Sequence, residues 1–235
     1  MDKLLIKQCL FYGSWLVWPF LAWLVWRLRE RRGRWLVALL LSGCLLFAWS
    51  RFVEPQRIHV QETVLAGTGG QARLVLISDI HLGVYKDSRY LQRLVDRINT
   101  LQADAVVIAG DFTYEPAGKS LQQMFAPLAE LHLPTYAVLG NHDQQAPGPD
   151  IDAELRSALA RHNVSVIEGE TVTVRGFRLA GLGDRWANKD DPGFLSALPS
   201  TSPTLVLTHN PDSAIDLDPA RAGLVRAGPT HGGEM

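Results

Sequence analysis

Asp79 with His81, Asp111, Asn141 with His142 and Asp143, and His209 with Asn210 share one property: each group closely follows a short apolar run. The runs, 74–78, 105–109, 135–139 and 205–208, have the length and β-branched content of buried strands. In open α/β sheets, ligands collect at the carboxyl ends of the strands. Such a fold would gather these side chains from distant parts of the chain into one place. A lone Asp or Asn after a strand is usually an ordinary turn residue, but a series in register at successive strand ends reverses that preference. Carboxylate, amide and imidazole donors without thiolate suit a divalent ion such as Mn²⁺, Fe²⁺ or Zn²⁺. The donors outnumber what one ion requires, so two ions are expected. A pair about 3.5–4 Å apart clamps a phosphoryl group and activates water for in-line attack on phosphorus.

The elements that must hold these residues are legible as alternation. Helix-period stretches at 90–101, 121–131 and 151–162 separate the apolar runs, which argues an α/β fold. Residues 57–64 read as an edge strand, and 164–167, 171–175 and 177–182 read as an antiparallel insertion turning at Arg175-Gly176. The loops after the strands, 83–89, 112–120, 144–150 and 184–192, would set specificity. Within the last, Arg185 and Trp186 are candidates for a phosphate contact and a stacking face, against the plainer reading of a surface loop. His59, His132 and His162 lie away from strand ends and receive no function.

Ahead of this part the composition changes. Residues 1–50 hold six of the seven tryptophans, both cysteines and a net charge of +5, whereas residues 51–235 carry −6. The absence of cysteine from the second part excludes disulfide scaffolds, zinc-cysteine sites and thiol nucleophiles there. Its acidic balance, without a Lys/Arg run, argues against a nucleic-acid partner. Residues 9–26 and 35–50 are uncharged and read as a transmembrane helical hairpin, the second helix extended by Phe52 and Val53 while Arg51 snorkels. A cleaved signal peptide is the competing account, but no small-x-small site precedes the arginines. Arg27, Arg29, Arg31, Arg32 and Arg34 place the connecting loop in the cytoplasm by the positive-inside rule. The expected location is thus multi-pass in a bacterial inner membrane, with the globular part on the outer, periplasmic face. Cys9 and Cys44 read as small residues buried in the apolar runs.

Taken together, Asp79-Ile80-His81, Gly110-Asp111, Gly140-Asn141-His142-Asp143 and a lone His209 resemble the calcineurin-like metallophosphoesterases. That family's blocks run Asp-x-His, Gly-Asp, Gly-Asn-His-Asp, His and Gly-His-x-His. With Thr208-His209-Asn210-Pro211-Asp212 and Thr230-His231-Gly232-Gly233, the chain is similar to the membrane-anchored bacterial branch over roughly residues 58–235. The resemblance implies a four-layer αββα sandwich in residues 54–235 behind a hairpin in residues 1–53. It also implies that Asp79, His81 and His231 hold one ion, that Asp111 bridges, and that Asn141 and His209 hold the other. His142 would face the leaving group and either protonate the departing oxygen or stabilise charge on the phosphorane, with Asp143 orienting His142. The implied partners are a membrane and a phosphate-ester substrate, with lipid-linked esters among the candidates. An outward topology favours an undecaprenyl-type, teichoic or phospholipid ester over a nucleotide-linked lipid.

The pattern breaks at its last block. Gly228-Pro229-Thr230-His231 puts a proline, which cannot coordinate through its side chain, where the second ion expects a histidine. The resemblance also expects Gln and further strands beyond Glu234-Met235, so the domain is expected to lack its last strands and to expose an edge. Two readings compete on this ground: an active phosphoesterase, or an inactive, truncated pseudo-phosphoesterase or metal-binding module.

Overall fold

The uncharged runs become helices, which satisfy backbone N–H and C=O groups within their own segment. The computed structural model describes residues 3–30, 33–65, 71–116, 118–144, 150–199, 204–220 and 222–228, in two compact units, Met1–Thr63 and Val64–Met235. In the first unit α1 (Lys3–Gly13) passes through a 3₁₀ turn into α2 (Val17–Arg27), and α3 (Arg34–Ala48) continues through π-helical Trp49–Val53 to a 3₁₀ turn at Glu54–Gln56. At the first junction the Ser14 hydroxyl donates to the Phe11 carbonyl at 2.6 Å. Pro19 sits in the first turn of α2, where a missing N–H is tolerated. Leu5–Arg27 and Arg34–Gln56 are each 23 residues long, with mean hydropathy 1.4 and 2.0. That exceeds the roughly 20 residues needed to cross a bilayer. Val17, Leu21 and Ala48 form their seam with Leu41, Cys44 and Phe52. Arg51 lies over the rings of Phe11 at 4.7 Å and Phe52 at 5.3 Å.

The second unit runs β1 (Leu74–Ile77), β2 (Leu82–Gly83), α4 (Ser88–Asn99), β3 (Ala105–Ala109), β4 (Thr113–Tyr114), α5 (Leu121–Phe125), β5 (Thr135–Val138), α6 (Asn141–Gln144), α7 (Asp152–Arg161), β6 (Val164–Val166), β7 (Thr171–Val174), β8 (Phe177–Gly181), β9 (Thr204–Leu207) and β10 (Leu224–Arg226). The first sheet has the order β1-β3-β5-β6 and is parallel throughout; the second has the order β10-β9-β8-β7. Both faces of β3 are buried, which is why 105–109 is continuously apolar. The two sheets pack face to face through Val107, Ala109, Val138 and Ile167 against Phe177, Leu179, Leu205 and Leu207.

On the outside of the first sheet α4 begins at Asp87, whose carboxylate accepts from Arg89 N and Tyr90 N, and buries Leu91, Leu94, Val95 and Ile98. The helical stretch expected at 121–131 changes to 3₁₀ after Phe125, where Pro127 ends the α-helical bonding. The outer face of the second sheet is covered by 3₁₀ segments, Pro192–Ala197 and Pro211–Asp216, through Leu195 and Leu217. This gives the four layers, the fourth being 3₁₀ rather than α among the described residues.

Two local readings are corrected. The run 57–64 forms no strand and is mostly exposed: alternation without a neighbouring edge has nothing to pair with. The stretch 164–182 is also not one insertion. Its first strand, β6, closes the parallel sheet, and only β7 and β8 form an antiparallel hairpin, with Arg175 and Gly176 at φ 53° and 78°. Alternation reports that a segment is extended and leaves its partner open.

Candidate metal centre

Asp79 and His81 follow β1, Asp111 follows β3, Asn141 and His142 open α6 after β5, and His209 follows β9, so the topology brings four strand ends together. The crossing is tight enough to dictate glycine. A Cβ on Gly140 would lie 1.9 Å from Asp111 Oδ1, and one on Gly110, at φ 84°, would lie 2.9 Å from His209 Nδ1. Asp79, His81 and Asp111 themselves have φ of 54°, 52° and 54°. Left-handed backbone in non-glycine residues is strained and clusters at functional sites.

His81 Nε2 lies 3.3 Å from Asp79 Oδ1 and 3.4 Å from Asp111 Oδ2. His209 Nε2 lies 3.4 Å from the same Asp111 oxygen, and His142 Nε2 lies 4.0 Å from it. Two sets of donor atoms fall within metal-binding reach of one another: His81, Asp111 and His142, and Asp79, Asp111 and His209. Asp111 belongs to both, the position of a bridge. Asp79 touches both sets, lying 3.3 Å from His81 as well as in the set with His209, and His142 falls in the set with His81. His231 and Pro229 lie outside the described residues. Gly228 brings the chain to the site: its added Cβ would stand 3.1 Å from His209 Nδ1 and 3.3 Å from Asp79 Oδ2.

The donor set fits divalent ions on two further observations. Asn141 is 1% exposed, and both polar atoms of its amide lack a hydrogen-bond partner, as does Asp79 Oδ2. An unsatisfied buried polar group costs about 1–3 kcal/mol, a cost that coordination at Asn141 Oδ1 and Asp79 Oδ2 would relieve. The tautomer of His209 is also set: Nδ1 donates to the Ala109 carbonyl at 2.7 Å, turning Nε2 toward Asp111. Burial alone would depress the imidazoles. The carboxylates of Asp111 and Asp79 outweigh it and raise His81 and His209 to about 9. Burial opposes ionisation of Asp111 too, but His209 and His81 hold it well below the usual carboxylate range. A field that favours two imidazolium ions favours any cation placed there.

Asp143 does something other than orient His142. Its carboxylate accepts from Phe112 N (3.0 Å), Thr113 N (3.0 Å), Thr113 Oγ1 (2.8 Å) and Gly140 N (3.2 Å), fastening the loop after Asp111 to the loop before Asn141. Burial pushes it up, to about 7, and the Asp111 charge adds to the effect. The His142 ring lies 5.2 Å from His81 and 5.1 Å from Tyr114 between centroids, and the backbone N–H of His142 donates to Asp111 Oδ1 at 3.2 Å. Glu168 gives further support. Where β6 has ended, its Oε1 accepts from Leu139 N at 2.9 Å, and its other oxygen is bound by Arg156.

Sequence reasoning missed Asp184. It is fully buried, accepts from Ala187 N at 3.1 Å through Oδ1, and leaves Oδ2 without a hydrogen-bond partner. Burial raises its carboxyl, while the nearby His209 charge works the other way. The signal was present: Asp184 follows an apolar strand, β8, as Asp111 follows β3. Arg185, a candidate for a phosphate contact against the plainer reading of a surface loop, pairs with Asp216 and with Asp190 at 3.4 Å. His162 is structural, its Nε2 donating to the Gln122 carbonyl at 2.9 Å.

Strand ends converging on carboxylates, an amide and imidazoles, with one carboxylate common to two donor sets, define the class: an α/β sandwich whose strand ends gather residues able to hold divalent metal. The chain belongs to the calcineurin-like phosphoesterase family, hydrolases acting on phosphoester bonds, whose family model matches residues 72–232. It is 25% identical over 260 residues to the UDP-2,3-diacylglucosamine pyrophosphatase LpxG of Chlamydia trachomatis, covering 85% of this chain and 77% of that protein. It is 26% identical over 199 residues to the phosphodiesterase YaeI of Escherichia coli, covering 80% and 72%. A Danio rerio transmembrane protein with metallophosphoesterase domain is 33% identical over 180 residues, covering 69% of this chain and 41% of its own length.

Proposed function

We propose that this chain is a membrane-tethered, metal-dependent phosphoesterase that cleaves a phosphoester or pyrophosphate bond in a lipid or cell-envelope substrate. The observation that carries the reading is Asp111, buried and common to both donor sets. Two divalent ions, Mn²⁺, Fe²⁺ or Zn²⁺, would supply Lewis acidity toward the phosphoryl oxygens and lower the pKa of a nucleophilic water. Asp79, His81, Asn141, His209 and His231 would hold them on either side of Asp111. His142 Nε2 faces the same space and would deliver a proton to the departing oxygen. The relative named as a pyrophosphatase of a diacylated sugar nucleotide supports a lipid-linked substrate. The two apolar helices and the name of the zebrafish relative support the tether. The five arginines between the helices favour an outward-facing domain.

The test is Mn²⁺-dependent hydrolysis of an aryl phosphodiester by the full chain in detergent. Asp111→Asn removes several kcal/mol of transition-state stabilisation, so a loss of about 10³-fold is expected. His142→Gln is expected to lose about 10²–10⁴-fold in kcat. Equal activity in native chain and Asp111→Asn would refute the reading. Activity gained only in Pro229→His would establish the inactive alternative for this chain.

A further inference from the structure

An acid at His142 needs its ring held, and Asp143, whose accepted bonds go to Phe112, Thr113 and Gly140, is not what holds it. The main chain of His142 is fixed on both sides: its N–H donates to Asp111 Oδ1 at 3.2 Å, and its carbonyl accepts from Thr113 Oγ1 at 3.4 Å. Its ring is a separate matter. Nε2 stands 4.0 Å from Asp111 Oδ2, beyond the length of a hydrogen bond, so the rotamer depends on what packs against the imidazole. His81 differs, its Nε2 lying within 3.4 Å of two carboxylates.

What packs there is Tyr114. Its ring lies 5.1 Å from that of His142, 5.5 Å from His81 and 5.4 Å from Tyr85 between centroids. These separations fall in the range of roughly 4.5–7 Å where aromatic rings attract. The backbone of Tyr114 is itself held. β4 pairs with β2, placing Gly83 opposite Tyr114, and Val84 N donates to the Tyr114 carbonyl at 3.2 Å. A Cβ on Gly83 would stand 1.8 Å from that carbonyl oxygen, so only glycine lets the two strands close. The preceding residue, Thr113, is bonded to Asp143 through both N and Oγ1. Tyr114 thus belongs to the same fastened segment as Asp111, three residues before it, and its ring keeps a set place relative to the shared carboxylate.

We propose that Tyr114 is the positioning residue for His142, its ring holding the imidazole with Nε2 toward the space beside Asp111 where the departing oxygen takes up a proton. The contact is made by the ring, so the hydroxyl is dispensable. The proposal deepens the phosphoesterase reading and rests on it for the proton transfer, while the placement of the ring can be judged separately.

Two measurements on the full chain in detergent test this. The first compares Mn²⁺-dependent hydrolysis of diphenyl phosphate, whose basic phenolate needs a proton to leave, with that of bis(nitrophenyl) phosphate, whose nitrophenolate needs one far less. Tyr114→Ala is expected to lower kcat on diphenyl phosphate about 10²-fold with KM unchanged, to cost much less on bis(nitrophenyl) phosphate, and to be rescued in Tyr114→Phe. Added to His142→Gln it should cost nothing more, since the two residues act as one unit. Equal losses on the two esters, the mark of a disturbed metal centre, would overturn the proposal. So would a Tyr114→Phe chain as impaired as Tyr114→Ala, or a further loss in the His142→Gln background. The second measurement is histidine-ring NMR of the EDTA-treated chain, with the His142 signal assigned by its loss in His142→Gln. That signal should be sharp and dispersed in the native chain and in Tyr114→Phe, and should collapse to the averaged shift of a mobile side chain in Tyr114→Ala. A His142 signal unmoved in Tyr114→Ala overturns the proposal even if both esters are cleaved. Collapse in Tyr114→Ala with rescue in Tyr114→Phe sustains the placement even if neither ester is cleaved, in which case only the phosphoesterase reading falls.

Discussion

The parallel sheet delivers Asp79, His81, Asp111, Asn141 and His142 from the ends of three adjacent strands, whereas the mixed sheet delivers His209 and Asp184 from two. Within the first sheet the spacing of these residues follows from backbone register, Ile77 opposite Ile108 and Ala109 opposite Val138. Between the sheets no backbone ladder sets the distance, and the separation of Asp111 and His209 depends on side-chain packing and one hydrogen bond, His209 Nδ1 to the Ala109 carbonyl. The loops differ in the same sense. Asp143 fastens the first sheet's loops with four accepted bonds, while the second sheet's 184–192 loop frames an open recess. Most of the candidate ligands thus come from the parallel sheet, and His209 is the one that reaches them from the other sheet.

The sharpest way to break this division is Gly140→Ala. A Cβ at 1.9 Å from Asp111 Oδ1 cannot be accommodated without moving the shared carboxylate, so Mn²⁺ binding by calorimetry should fall below two ions per chain and phosphodiester hydrolysis should vanish. Two ions bound with native affinity would show that register does not control the centre. A smaller effect is expected from Leu179→Ala at the sheet interface. Leu179 is fully buried, so about 2–5 kcal/mol of stability is lost in denaturant unfolding, with Mn²⁺ affinity weakened but not abolished. Unchanged Mn²⁺ affinity alongside that loss would detach the His209 distance from inter-sheet packing. Glu168→Gln should do least. It keeps an acceptor for Leu139 N and loses only the pairing with Arg156, so a destabilisation of about 1 kcal/mol and near-native kcat are expected, by unfolding and steady-state assay.

The same division explains what could be read from the sequence. Asp111, Asn141 and His209 are legible because the strands before them are buried nearly throughout, and Asp79 because β1, only half-buried with Leu76 exposed, is still an unbroken apolar run. Asp184 escapes a reading from sequence because 164–182 reads as an insertion, and the end of an insertion strand does not stand out as a ligand position. The bonding of Asp143 to Phe112, Thr113 and Gly140 joins residues up to 31 apart and has no local signature. The failed edge strand at 57–64 has the complementary cause: its alternation is local, and pairing is not.

The His209 bond to Ala109 has a thermodynamic consequence. Because this imidazole hangs from one sheet and is anchored to the other, an ion held by it and by Asp111 would be a clasp between the two sheets. Its binding free energy would become cohesion between the two sheets, about 4 kcal/mol at a free concentration a thousandfold above Kd. Scarcity of the metal would therefore loosen the sandwich as well as idle the chemistry, and amide exchange along β3 and β9 would register the change first.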